Sequence, residues 1–244
     1  MGKNKKKEGL LEKITVILVF YTIGVLLGII FYFLKALRRI KVINWKNFPH
    51  NYGNLIVVSN HPSLLEPILL PCLFFREYIF HPLKLSPWST PDKKKYYDRW
   101  YWFWLRPRAI PIDRNDTRGG IKAFFLMKKV LKAGGILILF PEGGRTYKGK
   151  KFFWSQNGRR IRFFQDGVGQ LVLRTNCRVL PLWVEGTDKV IPNSNDRFYV
   201  LPRFWDSEIT IRIGKTMSFD GVSDRKEIVQ KIMMALLELA DEEE

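Results

Sequence analysis

Residues 14–34 read ITVILVFYTIGVLLGIIFYFL, 21 residues without one charge. At 1.5 Å per residue, a helix of that length is about 31 Å long, close to the hydrocarbon thickness of a bilayer. A cleaved leader is the competing reading. The run is long for one, however, and KALRRIK follows it where small cleavage-site residues would be expected. The sequence therefore predicts a membrane-anchoring helical segment over residues 1–41 and a globular domain over 42–244. Lysines 3, 5, 6, 7 and 13 flank one end of the run. Lys35, Arg38, Arg39 and Lys41 flank the other, so the positive-inside rule gives nearly a tie. A spanning helix and a re-entrant pair of half-helices both remain open. Gly24 and Gly28 form a GxxxG pattern, suited to a helix-packing face or a flexible point.

Beyond residue 42 short apolar runs alternate with helical patterns. NLIVVS (54–59), GILILF (135–140), RVLPLWV (178–184) and EITIRI (208–213) read as strands, the first two as buried ones. Between the first two lies a helix capped by Asp116 or Thr117. It carries Ile121, Phe124, Phe125, Lys128 and Leu131 at helical spacing and ends at Gly134-Gly135. A last helix begins near Ser223 and presents Ile228, Ile232 and Leu236. This order predicts an α/β fold, a layered sheet flanked by helices.

Lys and Arg number 41 against 23 Asp and Glu, a formal charge of +18. Such an excess suits an anionic membrane surface, an acidic carrier protein or nucleic acid. No nucleic-acid reading motif is present, so the membrane and carrier readings are preferred. Cys72 and Cys177 stand far apart, and with three scattered histidines they offer no metal-ligand spacing. A buried, reduced Cys72 fits a domain facing the cytosol. Two segments are both aromatic and basic. YYDRWYWFWLRPR (96–108) would place aromatics all around a helix, which suits a headgroup-level surface or core packing. KFFWSQNGRRIRFF (151–164) reads as a hairpin with a two-residue Asn157-Gly158 turn. That turn would pair Trp154 with Ile161 and Phe152 with Phe163. The hairpin could lie on lipid, cover a tunnel or pack on the core.

Four stretches carry candidate chemistry. In NHPSLLEP (60–67), His61 follows a strand and Glu66 lies five residues on. In a helix those side chains would point about 140° apart, so they meet only if the loop folds back. If they meet, the carboxylate fixes the imidazole tautomer and leaves the second ring nitrogen as a base. AIPIDR ends in Arg114, FPEGGRT holds Glu142, Gly143 and Arg145, and LPLWVEG leads a strand into Glu185. Glycines at the carboxyl ends of strands let a backbone approach a ligand, and arginines can grip phosphate bidentately.

Together, in this order, the four stretches resemble the glycerolipid acyltransferase family, specifically 1-acylglycerol-3-phosphate acyltransferases. FFQDG (163–167) matches a further piece of that pattern, and the resemblance covers roughly residues 42–215. Three positions depart from it: Glu66 replaces an Asp, Gly144 replaces a Thr, and Arg108 stands where a Gly is usual. The resemblance implies transfer of a fatty acyl chain from an acyl carrier protein or coenzyme A thioester to a lysophospholipid hydroxyl, with no bound cofactor. His61 would be the general base and Glu66 its orienting acid. Arg114 and Arg145 would hold the acceptor phosphate, with Glu142 and Gly143 shaping that pocket. The implied location is the inner membrane, catalytic domain on the cytoplasmic face. An acceptor such as an ornithine lipid, or a non-catalytic protein that binds anionic lipid, are the alternatives.

Overall fold

The computed structural model describes residues 2–49, 53–113, 115–193, 202–205 and 207–242, with side chains from Leu10 onward. The chain opens with helix α1 (Gly2–Val19), which passes through a π turn at Phe20–Gly24 directly into α2 (Val25–Ala36). Strand β1 (Ile40–Ile43) follows, then β2 (Leu55–Ser59). Three short helices come next: α3 (Glu66–Leu69), α4 (Phe75–Phe80) and α5 (Pro82–Leu85). After α6 (Thr117–Lys132) come β3 (Ile136–Leu139) and the hairpin strands β4 (Phe152–Trp154) and β5 (Arg160–Arg162). The chain continues through α7 (Gly167–Thr175), β6 (Arg178–Glu185), α8 (Thr187–Val190), β7 (Ile209–Ile213) and α9 (Arg225–Asp241).

Among the described residues one sheet runs in the order β1-β7-β6-β2-β3. β2 lies parallel to both β3 and β6, and β1 is parallel to β7; within this sheet, among the described residues, the β6–β7 pair alone is antiparallel. The central strands read as unbroken apolar runs because both faces are covered. Ile56, Val58, Leu137 and Val179 enter a core with α6, α7 and α9. Their neighbours Leu55, Val57, Ile136 and Leu180 enter a second core on the other side, with Phe31, Leu34 and Tyr78. The expected strands are all present. β1 was not anticipated, and it straddles the 41/42 boundary drawn from the sequence: Ile40 and Lys41 already pair with Ile209 and Thr210.

The apolar N-terminal segment is helical, and Leu10–Ala36 is long and apolar enough to cross a membrane, with mean hydropathy 2.7 over an 18-residue stretch of it. Its GxxxG glycines meet α4. A Cβ on Gly28 would lie 2.0 Å from the Phe75 ring, so only glycine allows this approach. The Gly24 carbonyl, at the π turn, accepts from the Tyr78 hydroxyl at 2.8 Å.

Three local features differ from the sequence reading or go beyond it. The hairpin pairs Phe152 with Arg162, Phe153 with Ile161 and Trp154 with Arg160. This is one residue out of the expected register, because the loop has three residues, 156–158, with Gly158 left-handed at φ 77°. Asp241 of α9 fixes that loop, accepting from Ser155 Oγ at 2.7 Å and from the Asn157 N–H at 3.3 Å. The slip buries Ile161 and leaves Trp154 exposed. Helix α6 buries Ala123, Met127 and Leu131, whereas Ile121 and Phe125 are exposed. The aromatic stretch Trp100–Arg108 is a kinked 3₁₀ segment. It tucks in Trp102 and leaves Trp100 and Phe103 outside. Arg108 pins it, donating to Ser86 Oγ at 2.7 Å and the Leu83 carbonyl at 2.6 Å. Burial lowers the Arg108 pKa from its ordinary value.

Candidate active site

Parallel pairing of β3, β2 and β6 brings their carboxyl ends to one edge of the sheet. There the loops after β2 (residues 60–65), after β3 (140–146) and after β6 (186–187) meet. Each supplies a chemically active or supporting group.

His61 and Glu66 are brought together: Nδ1 and Oε2 are 2.8 Å apart. The fold-back comes from hydrogen bonds within SLLE, residues 63–66, just ahead of α3. The Ser63 N–H donates to both Glu66 oxygens at 3.1 Å, and Ser63 Oγ donates to Oε1 at 2.9 Å. Glu66 starts α3 with Pro67 in the first turn, where a missing N–H costs nothing. The Thr187 hydroxyl, at the start of α8 just after β6, also donates to Glu66 Oε1. Glu66 is fully buried. Its carboxylate is satisfied by donors, as a buried charge requires.

The main chain of His61 is clamped as well. Its N–H donates to Glu142 Oε1 at 2.8 Å, and its carbonyl accepts from the Thr146 N–H at 2.8 Å. Phe140 stacks on the imidazole at 4.4 Å. Glu142 also accepts from Thr146 Oγ1 at 2.7 Å and, through Oε2, from the Arg162 N–H at 2.9 Å. It therefore ties the loops after β2 and β3 to the hairpin. Burial raises its carboxyl above the ordinary range, and the bonds from Arg162, Thr146 and His61 oppose that shift. Asn60 completes the frame by exchanging two 2.8 Å hydrogen bonds with the main chain of Val184 in β6.

His61 lines a cavity of about 790 Å3 that is mostly apolar. Gly143, Gly144 and Gln165 form its wall near the imidazole, and Trp102, Phe124, Met127 and Leu171 form its greasy part. The volume falls within the ~300–1,000 Å3 of ordinary ligand sites. Arg145 is buried and is not among the residues that line this cavity. Its Nη1 donates to Asn193 Oδ1 at 3.3 Å, and Asn193 donates to the Pro62 carbonyl at 2.8 Å. Arg114 lies outside the described residues.

Ser63, Thr187, Asn60 and Asn193 were not read from the sequence. SLLE fits the capping-box pattern and could have flagged Ser63. The other three meet the site only through long-range contacts, which leave no local signal.

The His61–Glu66 pair thus stands at the rim of a layered α/β sheet and faces an apolar cavity. The chain belongs to the Acyltransferase family, whose model matches residues 39–185. It is 22% identical over 163 residues to a chloroplastic 1-acyl-sn-glycerol-3-phosphate acyltransferase of Arabidopsis thaliana, covering 65% of this chain and 39% of that protein. A probable 1-acyl-sn-glycerol-3-phosphate acyltransferase of Mycoplasma pneumoniae is 23% identical over 159 residues, 65% of this chain and 53% of that one. A third, from Helicobacter pylori, is 27% identical over 129 residues, 52% and 51% of the two chains. The chain thus spans only 39–53% of the length of these relatives. The fold is shared with the crystal structure of the Thermotoga maritima 1-acyl-sn-glycerophosphate acyltransferase. There the TM-score is 0.62 at 19% identity, over 97% of this chain and 96% of that one.

Proposed function

We propose that this protein transfers a fatty acyl chain from a thioester to the free hydroxyl of 1-acyl-glycerol-3-phosphate, giving phosphatidic acid. The observation that carries this reading is the 2.8 Å His61–Glu66 pair at the wall of the apolar cavity. Glu66 holds Nδ1, so Nε2 is the ring nitrogen left for the acceptor. Nε2 takes the hydroxyl proton as that oxygen bonds to the thioester carbonyl carbon. The C–S bond then breaks, and the proton passes to the departing sulfur. Backbone N–H groups would stabilise the intermediate oxyanion. The acyl chain lies in the cavity among Phe124, Met127 and Leu171, where each buried CH2 contributes about 0.8 kcal/mol. Arg145 and Arg114 hold the acceptor phosphate. Residues 1–41 anchor the enzyme to the inner membrane with the catalytic domain on the cytoplasmic face. The donor is an acyl carrier protein or coenzyme A thioester.

The test is an assay of the purified chain with labelled acyl thioesters and a panel of lysolipids, an ornithine lipid included. Transfer to 1-acyl-glycerol-3-phosphate is expected, together with a fall of about 10²–10⁴-fold in His61→Ala, the usual contribution of a general base. His61→Ala should still float with anionic vesicles. A variant that keeps its turnover refutes the mechanism, and transfer only to another lysolipid refutes the acceptor.

A further inference from the structure

A second cavity, of about 930 Å3, lies beside the N-terminal helix and has no lining residue in common with the one at His61. Its inner wall is Phe48, Phe75 and Tyr32, which belong to or pack against the core on the far side of the sheet from α6 and α7. Its outer wall is formed by Ile29 and Phe33 of α2, 57% and 58% exposed. The groove therefore opens sideways onto the apolar helix surface, not only toward water.

Its rim is cationic. Lys35, Lys46 and Arg76 border it, with Glu77 as the one carboxylate among its lining residues. The depth of these cations is set by the sequence. The uncharged run ends at Leu34 and Lys35 is the next residue, so Lys35, and with it the rim it shares with Lys46 and Arg76, lies where hydrocarbon gives way to headgroups. The Lys35 ammonium sits 4.6 Å from the centre of the Trp45 ring and 5.8 Å from that of Tyr32. A free phosphate has no use for the greasy wall, and a soluble peptide would have to enter along a surface that a bilayer covers. A two-part ligand, an apolar chain with an anionic head at its end, fits both halves.

We propose that this groove binds one anionic phospholipid of the bilayer, which is not a substrate. Its acyl chain lies along Ile29, Phe33 and Phe75, and its phosphate sits among Lys35, Lys46 and Arg76. The lipid lies against both α2 and α4, beside the Gly28–Phe75 contact, and braces the anchor against the domain. The proposal rests on the membrane association in the function proposed above, but not on acyl transfer.

The test uses the full chain in nanodiscs of equal phosphatidylcholine and phosphatidylglycerol, ejected into a native mass spectrometer. One retained phosphatidylglycerol per protein is expected, for wild type and His61→Ala alike. The double variant Lys46→Gln/Arg76→Gln changes two exposed side chains. It should lower retention by about thirtyfold, from about 1 kcal/mol for each cation at a membrane surface, while still floating with vesicles. Undiminished retention in the double variant, equal retention of both lipids by wild type, or retention of a fatty acid or lysolipid instead would overturn the proposal. A wild type that fails to float would overturn the membrane reading and this one with it. Retention without any acyl transfer would sink only the enzymatic reading.

Discussion

Aspartate is the acid that the family pattern places five residues after the histidine, yet Glu66→Asp should damage this protein. The carboxylate of Glu66 is fully buried and accepts from His61, Ser63 and Thr187 at once. Removing one methylene draws it back by about 1.5 Å, one C–C bond. In line, the 2.8 Å contact to His61 Nδ1 would stretch to about 4.3 Å, beyond hydrogen-bonding range. The backbone is poorly placed to follow. His61 is clamped by Glu142 and Thr146, and Leu65 and Leu69 around α3 are packed in the core. One lost hydrogen bond to a charged group is worth about 1.5–3 kcal/mol. At 1.36 kcal/mol per decade, that is roughly a ten- to 150-fold loss in kcat/KM. The assay is initial-rate acyl transfer at fixed pH, with Glu66→Gln alongside as the variant that keeps reach and loses charge. Thermal melts confirm that both variants are folded. An aspartate variant within threefold of wild type would show that the loop adjusts freely and that the glutamate is no specific adaptation.

Thr187→Val removes a hydroxyl that donates to the buried Glu66 carboxylate. It should cost about 1.5–3 kcal/mol and lower kcat more than it raises acceptor KM; a variant with only KM altered would place Thr187 in substrate binding instead. Glu142→Gln sets two effects against each other. A carboxyl raised on folding contributes stability that is present below its unfolded value and lost as pH rises through its folded value, so the Glu142 charge costs the fold at neutral pH. The amide relieves that cost. However, its NH2 must face either the Arg162 N–H or the His61 and Thr146 donors, and an orphaned donor costs about 1–3 kcal/mol. A lower melting temperature at pH 7 is expected, and one at or above wild type would remove Glu142 as a three-donor tie.

The strands were legible because burial on both faces writes them as continuous apolar runs: LIVVS and ILIL could hardly pack otherwise. The His61–Glu66 pairing was legible only as a condition, since a spacing of five fits neither helix face nor pleat. What satisfies the condition is Ser63, whose bonds to Glu66 are local and readable, and Thr187, which is neither. The hairpin shows the opposite failure. Asn-Gly is a strong local turn signal, but Asp241 from the last helix holds a three-residue loop. A distant contact overrode local preference by one residue, enough to exchange the two faces. For α6 the helix was legible and its buried face was not. Apolar residues occur on more than one side of that helix, and the cavity, unseen in the sequence, leaves Ile121 at its wall.

Three glutamates stand at the ends of adjacent strands and do different physical work. Glu185 closes β6 by pairing with Arg212 at 2.5 Å and Arg159 at 2.8 Å, an ion triad that joins β7 and the hairpin to the strand. Glu142 follows β3 and binds main-chain N–H groups from two other segments. Glu66 follows β2 and is the one whose carboxylate reaches an imidazole. The first two bear on the third. Glu142 fixes where the His61 backbone lies, and Glu185 ends the strand that delivers Thr187 two residues later. The position of the imidazole is thus set by the register of three parallel strands, through bonds that each span two loops. Charges placed this way cost desolvation, and apolar replacements would often pack as stably. An apolar residue could not aim a neighbouring N–H or hydroxyl, and aiming is what a base that must meet a hydroxyl within hydrogen-bond reach requires.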